Sequence, residues 1–306
     1  MANVNDYINE ILLEPYNYLL QSSGKQIRTK LMTAFNYWLK IPDDYLKVVQ
    51  EIIEMLHNSS LLVDDIEDGS DLRRGKPVAH HVYGMANAIN TANYVYFLSL
   101  KKIIEKFPKY LVTSAVTMFT DCLIGLHKGQ GLDIHWRETF NCPTEQQYFQ
   151  MINMKTTALF ALSVQLMQLF SDNKQDFSQL ICLLGTYFQI KDDFANLCSQ
   201  EYTENKSFCE DITEGKFSFP IIHGIRSQPN DSEIVNILRQ KTRNEELKKK
   251  VIQKLLQLGS FEYTIGVLNK INSEIRVELN KFEANKQITN IIDLLVSDVQ
   301  NFHNSQ

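Results

Sequence analysis

The chain has little that breaks a helix. Proline occurs seven times and glycine twelve times in 306 residues. The stretches 85–107, 111–138, 145–170 and 174–199 contain no proline at all. Clean strand alternation bounded by hairpin turns is scarce too, which argues against a sheet-built fold. Cysteine is sparse and odd in number: Cys122, Cys142, Cys182, Cys198 and Cys209, with no C-x-x-C and no zinc spacing. That argues against a disulfide framework and for free thiols in a reducing compartment. A basic excess is missing. The formal net charge is −5 and the isoelectric point about 5.8, so no nucleic-acid partner is expected. No apolar run approaches the roughly 20 residues that span a bilayer. The start, Met1-Ala2-Asn3-Val4-Asn5-Asp6, shows no basic segment leading into an apolar one. The expectation is no transmembrane segment and a cytoplasmic location. Low-complexity linkers and composition shifts are absent as well, so residues 1–306 are expected to form one domain.

What is present is helical periodicity. Val48, Ile52, Met55, Leu56, Leu62 and Val63, within 46–67, mostly suit one helix face. Ile288, Ile291, Ile292, Leu295 and Val299 recur at i, i+3, i+4, i+7 and i+11. Prolines 15, 42, 77, 108, 143, 220 and 229 fall where helices should begin or stop. Ser227–Asp231 reads as a surface turn. Residues 239–250, with Lys241, Arg243, Lys248, Lys249 and Lys250 among acids, read as a solvated helix face. The predicted class is all-α, a large single-domain bundle.

Two acidic clusters stand out on this background. The first is Asp64-Asp65-Ile66-Glu67-Asp68, preceded by Leu61-Leu62-Val63 and followed by Arg73-Arg74. The second is Asp192-Asp193-Phe194-Ala195-Asn196, preceded by Gln189 and followed by Lys206 and Lys216. On a helix Asp64 and Asp68 share a face. Like charges that close repel, and each is penalised further by burial, so a structural role explains the first cluster poorly. Its bland alternative is a solvated helix end. Paired carboxylates bind hard cations through oxygen, while Arg and Lys bind phosphate. Two such sites point to a diphosphate held by magnesium between two helices, whose departure the metal would assist as a Lewis acid. Taken alone, His57 reads equally as a helix histidine, and Arg73-Arg74 as a surface basic pair.

The sequence resembles the trans-isoprenyl diphosphate synthases, most of all the animal and fungal geranylgeranyl diphosphate synthases. The likeness runs from Gly24-Lys25-Gln26-Ile27-Arg28 to the C-terminal helices. It is carried by Leu56–Asp68, by Leu72-Arg73-Arg74-Gly75, by Gly129-Gln130-Gly131-Leu132-Asp133-Ile134, by Glu204–Asp211 and by Gly215–Pro220. The resemblance implies an isoprenoid-synthase fold around a central cavity. It implies condensation of dimethylallyl, geranyl or farnesyl diphosphate with isopentenyl diphosphate, to geranylgeranyl diphosphate or a shorter product. Asp64, Asp65, Asp68 and Asp192 would hold magnesium (three ions in each site), with Asp193 completing the second motif. Lys155, Lys206, Lys216 and Arg73 would contact the allylic diphosphate. Lys25, Arg28, His57 and Arg74 would hold isopentenyl diphosphate. Gln189, Lys155 and Thr156 would face the carbocation. Tyr96, Phe97 and His127 would close the pocket floor, or else be core residues of their helices. A homodimer or higher homo-oligomer is implied as well.

The chain departs from this family's pattern at Lys155-Thr156-Thr157-Ala158-Leu159-Phe160, where a Gly-Gly pair is usual in place of Thr157-Ala158. Glycine inside a helix costs roughly 1 kcal/mol against alanine, so such a pair marks a close approach. Thr157 and Ala158 either simply stabilise the helix or narrow the pocket. Ser59 puts a hydroxyl where alanine is common, and Gln165 replaces a basic residue or glycine. Intact metal motifs with altered surroundings define a second reading: a terpene synthase of insect type, derived from a prenyl synthase, releasing an acyclic monoterpene such as ocimene from geranyl diphosphate. A third is an inactive regulatory subunit, against which the intact acidic and basic residues argue.

Overall fold

The computed structural model describes residues 4–22, 24, 26–198 and 208–304. Most of them are helical, as the shortage of helix breakers predicts. They gather into two compact units, Met1–Thr120 with Gln165–Asp172, and Asp121–Val164 with Asn173–Gln306.

The first unit holds α1 (Val4–Leu12), α2 (Glu14–Leu20), α3 (Ile27–Leu39) and α4 (Asp43–Glu67), then a hairpin of β1 (Leu72–Arg73) and β2 (Lys76–Pro77). It continues through α5 (Ala79–Tyr83), α6 (Met85–Lys106) and the start of α7 (Lys109–Thr139). Pro15 sits in the first turn of α2 and Pro42 caps α4, where a missing N–H costs nothing. Asp43 and Asp44 favour the positive end of the α4 dipole. α4 packs along α6, and α2 and α5 pack on both. Tyr16, Leu19, Leu62, Ala79, Ala92 and Val95 form one buried cluster, with Leu61 and Val63 packed against it. Leu62 is fully covered, a burial worth about 1.5–3 kcal/mol. The apolar triplet before the first acidic cluster therefore seats the end of α4 in the core and fixes where the acids emerge.

The second unit holds the rest of α7, then α8 (Glu145–Ile152), a π-turn (Asn153–Thr157), the start of α9 (Ala158–Gln168) and α10 (Ser178–Cys198). It ends with α11 (Glu210–Glu214), α12 (Phe219–Ser227), α13 (Glu233–Leu238), α14 (Glu245–Gln257), α15 (Ser260–Leu279) and α16 (Lys286–Asn304). α10 is its centre, packed on α11, α12, α15, α16 and the π-turn. Lys191 of α10 also pairs with Asp298 of α16. α8 starts from a capping box: the Thr144 hydroxyl accepts from Gln147 N–H, and the Gln147 side chain returns to Thr144 N–H.

Four expectations change. The stretch 145–170 is not one helix, because the π-turn interrupts it. α10 begins at Ser178, because the Asn173 and Asp176 side chains capture the backbone N–H of Gln175 and Ser178. Residues 239–250 are not one solvated face: the helix starts at Glu245, and Lys248 is buried with its ammonium on the Phe208 carbonyl. Lastly, α7 is long and apolar enough to cross a bilayer by length and composition, although little of it is buried.

Candidate active site

In the first unit Asp64 and Asp65 lie in the last turn of α4, with Asp68 just beyond. Carboxylates there face the negative end of the helix dipole, so something positive must hold them. Arg73 does. Its Nε and Nη2 reach Asp65 Oδ1 at 2.8 and 2.5 Å, and Nη2 reaches Asp64 Oδ2 at 3.1 Å. Burial disfavours the Arg73 charge, but Asp65 and Asp64 outweigh it and raise its pKa. Asp65 is 1% exposed. This acid, expected among the metal ligands, has its Oδ1 on Arg73. Asp64 and Asp68 are partly open and one turn apart, so they form the accessible acid pair.

A tight turn makes this geometry possible. Leu72 pairs with Pro77 and Arg73 with Lys76, which leaves a two-residue loop. Arg74 and Gly75 both have positive φ, +55° and +75°, as a type I′ turn requires. Arg73 is thereby turned back on α4, while Arg74 donates to the Ser22 carbonyl at 2.5 Å. Arg28 Nη1 lies 3.1 Å from His57 Nε2. Burial, then the charges of Arg28, Arg74 and Arg73, push the His57 pKa well below its usual value. The imidazole is therefore neutral and accepts from Arg28. Arg28, His57 and Arg74 form one cationic patch. Lys25 lies outside the described residues.

In the second unit Asp193 is fully buried and saturated. It accepts from Tyr148 OH at 2.5 Å, Phe219 N–H at 2.9 Å, Gln189 Nε2 at 2.9 Å and Lys216 Nζ at 3.3 Å. Burial disfavours the Lys216 charge, but Asp193, Asp211 and Glu214 outweigh it and raise its pKa strongly. Asp193 is an anchor, and Asp192 beside it is the more open acid. Asn196, at the acid position of the first motif, is buried and accepts the Asp211 backbone N–H at 3.2 Å. Lys155 Nζ donates to Asp133 Oδ2 at 2.7 Å, and Thr156 Oγ1 to Gln189 Oε1 at 2.7 Å. Burial alone would raise the Asp133 pKa, but Lys155 and Lys216 hold it below the usual range. Lys206 lies outside the described residues.

Among the described residues no three acids, histidines or cysteines gather into a ready-made metal cage. The expected floor residues fare unequally: Tyr96 is half-buried, whereas Phe97 is 71% exposed and His127 is exposed too. The altered positions are also located. The Ser59 hydroxyl is buried and donates to the Met55 carbonyl at 2.7 Å, within its own helix. Thr157 is buried against α10, and Gln165 is exposed.

Three partners escaped the sequence reading: Asp133 for Lys155, Tyr148 for Asp193 and Asp211 for Lys216. Asp133 and Asp211 lay inside recognised motifs without an assigned role. Nothing in the local sequence marks Tyr148.

This all-α frame, with two acid motifs each beside a buried cation, is of the isoprenoid-synthase type. The chain belongs to the polyprenyl synthetase family, whose model matches residues 9–255. It is 53% identical to a terpene synthase of Matsumurasca onukii over 95% of this chain and 94% of that protein. It is 46% identical to a geranylgeranyl pyrophosphate synthase of Mucor circinelloides f. lusitanicus over 95% of each chain. Another such synthase, from Dictyostelium discoideum, is 46% identical over 93% of this chain and 92% of its own. The protein is thus an enzyme of the isoprenyl diphosphate synthase type, a prenyltransferase.

Proposed function

We propose that residues 1–306 act as one domain in which both acid motifs serve one reaction, the coupling of an allylic diphosphate to isopentenyl diphosphate. The observation that carries this is the pairing of two different anion sites. The open acids Asp64 and Asp68 of the first unit, and Asp192 with Lys155 and Lys216 in the second, suit a diphosphate held through metal and due to leave. Arg28, His57 and Arg74 form a cationic patch suited to a diphosphate that stays attached. Magnesium would supply Lewis-acid stabilisation of the departing group. Around it, Lys155 and Lys216 take up diphosphate charge, Arg73 holds Asp64 in place, and Gln189 and Thr156 face the developing cation. The product is geranylgeranyl diphosphate or shorter.

A second reading, a terpene synthase, is favoured by the 53% identical relative of that name. It needs ionisation but not the Arg28–His57–Arg74 patch. The deciding assay supplies geranyl diphosphate and Mg²⁺ with and without isopentenyl diphosphate. Longer prenyl diphosphates formed only with isopentenyl diphosphate support coupling; a volatile hydrocarbon from geranyl diphosphate alone supports the second reading. Loss of neither activity in Asp64→Ala and Asp192→Ala would sink both.

We also propose a homodimer. Met85, Ile89, Phe97 and Ile104 make an exposed apolar stripe along α6. Along α7, Thr113, Thr117, Thr120, Ile124, His127 and Gly131 are exposed at alternating spacings of four and three. Such near-heptad, uncharged stripes suit helix packing against a second copy. Cover from that copy is what would let Phe97 and His127 serve a pocket floor. The described cysteines are all free thiols, which suits a reducing compartment such as the cytoplasm.

A further inference from the structure

The segment that carries Lys155 and Thr156 winds as a single π-turn, Asn153–Thr157. Such turns disturb the helical hydrogen-bond ladder and recur at functional sites. This one is gripped from two sides. On α7, a Cβ at Gly129 would meet the Lys155 backbone nitrogen at 2.6 Å. On the same face Asp133 takes the Lys155 ammonium, and Cys122 Sγ donates to the Ala158 carbonyl at 3.4 Å. On α10, a Cβ at Gly185 would meet Thr157 Oγ1 at 2.3 Å. Cys182 Sγ reaches Asn153 Oδ1 at 3.2 Å, and Gln189 takes the Thr156 hydroxyl. Cys182, Gly185 and Gln189 fall at i, i+3 and i+7, one face of α10.

Thr157 fills the space that Gly185 leaves. It is 7% exposed, and its hydroxyl has no hydrogen-bond partner. A buried hydroxyl without a partner is destabilising, so the shape of this side chain, and not its polarity, is what the site uses. Its bulk lies against α10, which opposes the expectation that it narrows a cavity.

We propose that Thr157, seated against Gly185, is a wedge that fixes the register of the π-turn and so positions Lys155 and Thr156. The effect reaches the second acidic motif, because Thr156 binds Gln189 and Gln189 binds Asp193. Gly129 and Gly185 are positioning residues for the same turn. The inference rests on the functional reading above only in taking Lys155 and Thr156 as neighbours of the leaving diphosphate and the cation.

The test uses the full chain with Gly185→Ala, Thr157→Gly, the double variant and Thr157→Val. Thermal unfolding is measured without substrate. Turnover of geranyl diphosphate, with Mg²⁺ and isopentenyl diphosphate, is then measured per folded enzyme. Gly185→Ala should lower kcat about 100-fold, the cost of a misplacement near 1 Å. It should also change the ratio of elongated diphosphate to hydrocarbon, which a merely smaller folded fraction would leave alone. Adding Thr157→Gly removes the colliding atoms and should restore both rate and ratio. Thr157→Val keeps the shape, so it should keep the rate and unfold at higher temperature. A wild-type rate in Gly185→Ala, a double variant no better than Gly185→Ala, or an inactive Thr157→Val would each overturn the wedge. If Gly185→Ala does not fold, refolding of the double variant and the activity of Thr157→Val decide it. A wild-type protein that consumes no prenyl diphosphate would overturn the functional reading instead. The unfolding temperatures of the four variants would then decide the Thr157–Gly185 contact by themselves.

Discussion

At the scale of the residue, the site is built by pairing each acid that must stay put with a fixed cation, leaving its neighbour open. Asp65 goes to Arg73, which also reaches Asp64, and Asp193 to Lys216 and Tyr148; Asp64, Asp68 and Asp192 are the more open acids. Tyr148→Phe deletes one buried hydrogen bond to a charged group but leaves Asp193 three donors. It should cost about 1.5–3 kcal/mol by denaturant unfolding. Asp193→Asn leaves Lys216 its Asp211 partner but turns an amide toward donors, so about 1–3 kcal/mol is expected. His57 gives a pH prediction. Its folded pKa lies below the unfolded value near 6.5, so the native state binds fewer protons. The contribution of His57 is present above about pH 6.5 and is lost as pH falls toward the folded pKa. Stability measured between pH 7 and 5 should therefore fall less steeply in His57→Gln; equal slopes would show that His57 does not titrate on unfolding. The acids were legible in the sequence because clustered like charge has few structural uses. Tyr148 was not, because its partner lies 45 residues away and a tyrosine on an amphipathic helix looks like any core aromatic.

At the scale of the element, helix spans partly followed the prolines: α4 starts just after Pro42, and α6 and α7 end within a few residues of Pro108 and Pro143, whereas α4 ends ten residues before Pro77. The π-turn did not show, because no residue in Asn153–Thr157 forbids α-helix. Its register is imposed by Gly129 and Gly185, whose lack of side chains matters only once α7 and α10 have packed against it. The Arg74–Gly75 turn hid for a related reason, since arginine at positive φ is disfavoured locally and is held there by its bond to Ser22. The exposed stripe on α6 yields the prediction at this scale. Ile89→Asp with Phe97→Asp places charge on a face whose residues already contact solvent in the single chain, so the fold should survive. Light scattering after size exclusion should then report a monomer where the wild type reports a dimer. An unchanged mass would remove α6 from the interface.

At the scale of the whole molecule, the question is whether the two acid motifs serve one reaction. Each sits in its own compact unit, on the helix that unit packs around, and each is anchored by its own cation. Two independent sites of this kind would each hold a metal and a diphosphate, and their losses would add. One shared site behaves differently, because groups that act together on one transition state are strongly non-additive. Asp64→Ala and Asp192→Ala should therefore each abolish most turnover, and the double variant should be little worse than the poorer single one. Binding gives the same answer without turnover. Mg²⁺ with inorganic pyrophosphate at 100 times its dissociation constant should stabilise the wild type by about 2.7 kcal/mol, while Mg²⁺ alone does much less, since the diphosphate completes the metal shell. If either alanine variant alone removes that stabilisation, the motifs hold one ligand. If each variant keeps half the turnover and a partial shift, the motifs work apart, and the single-reaction reading of this chain fails with them.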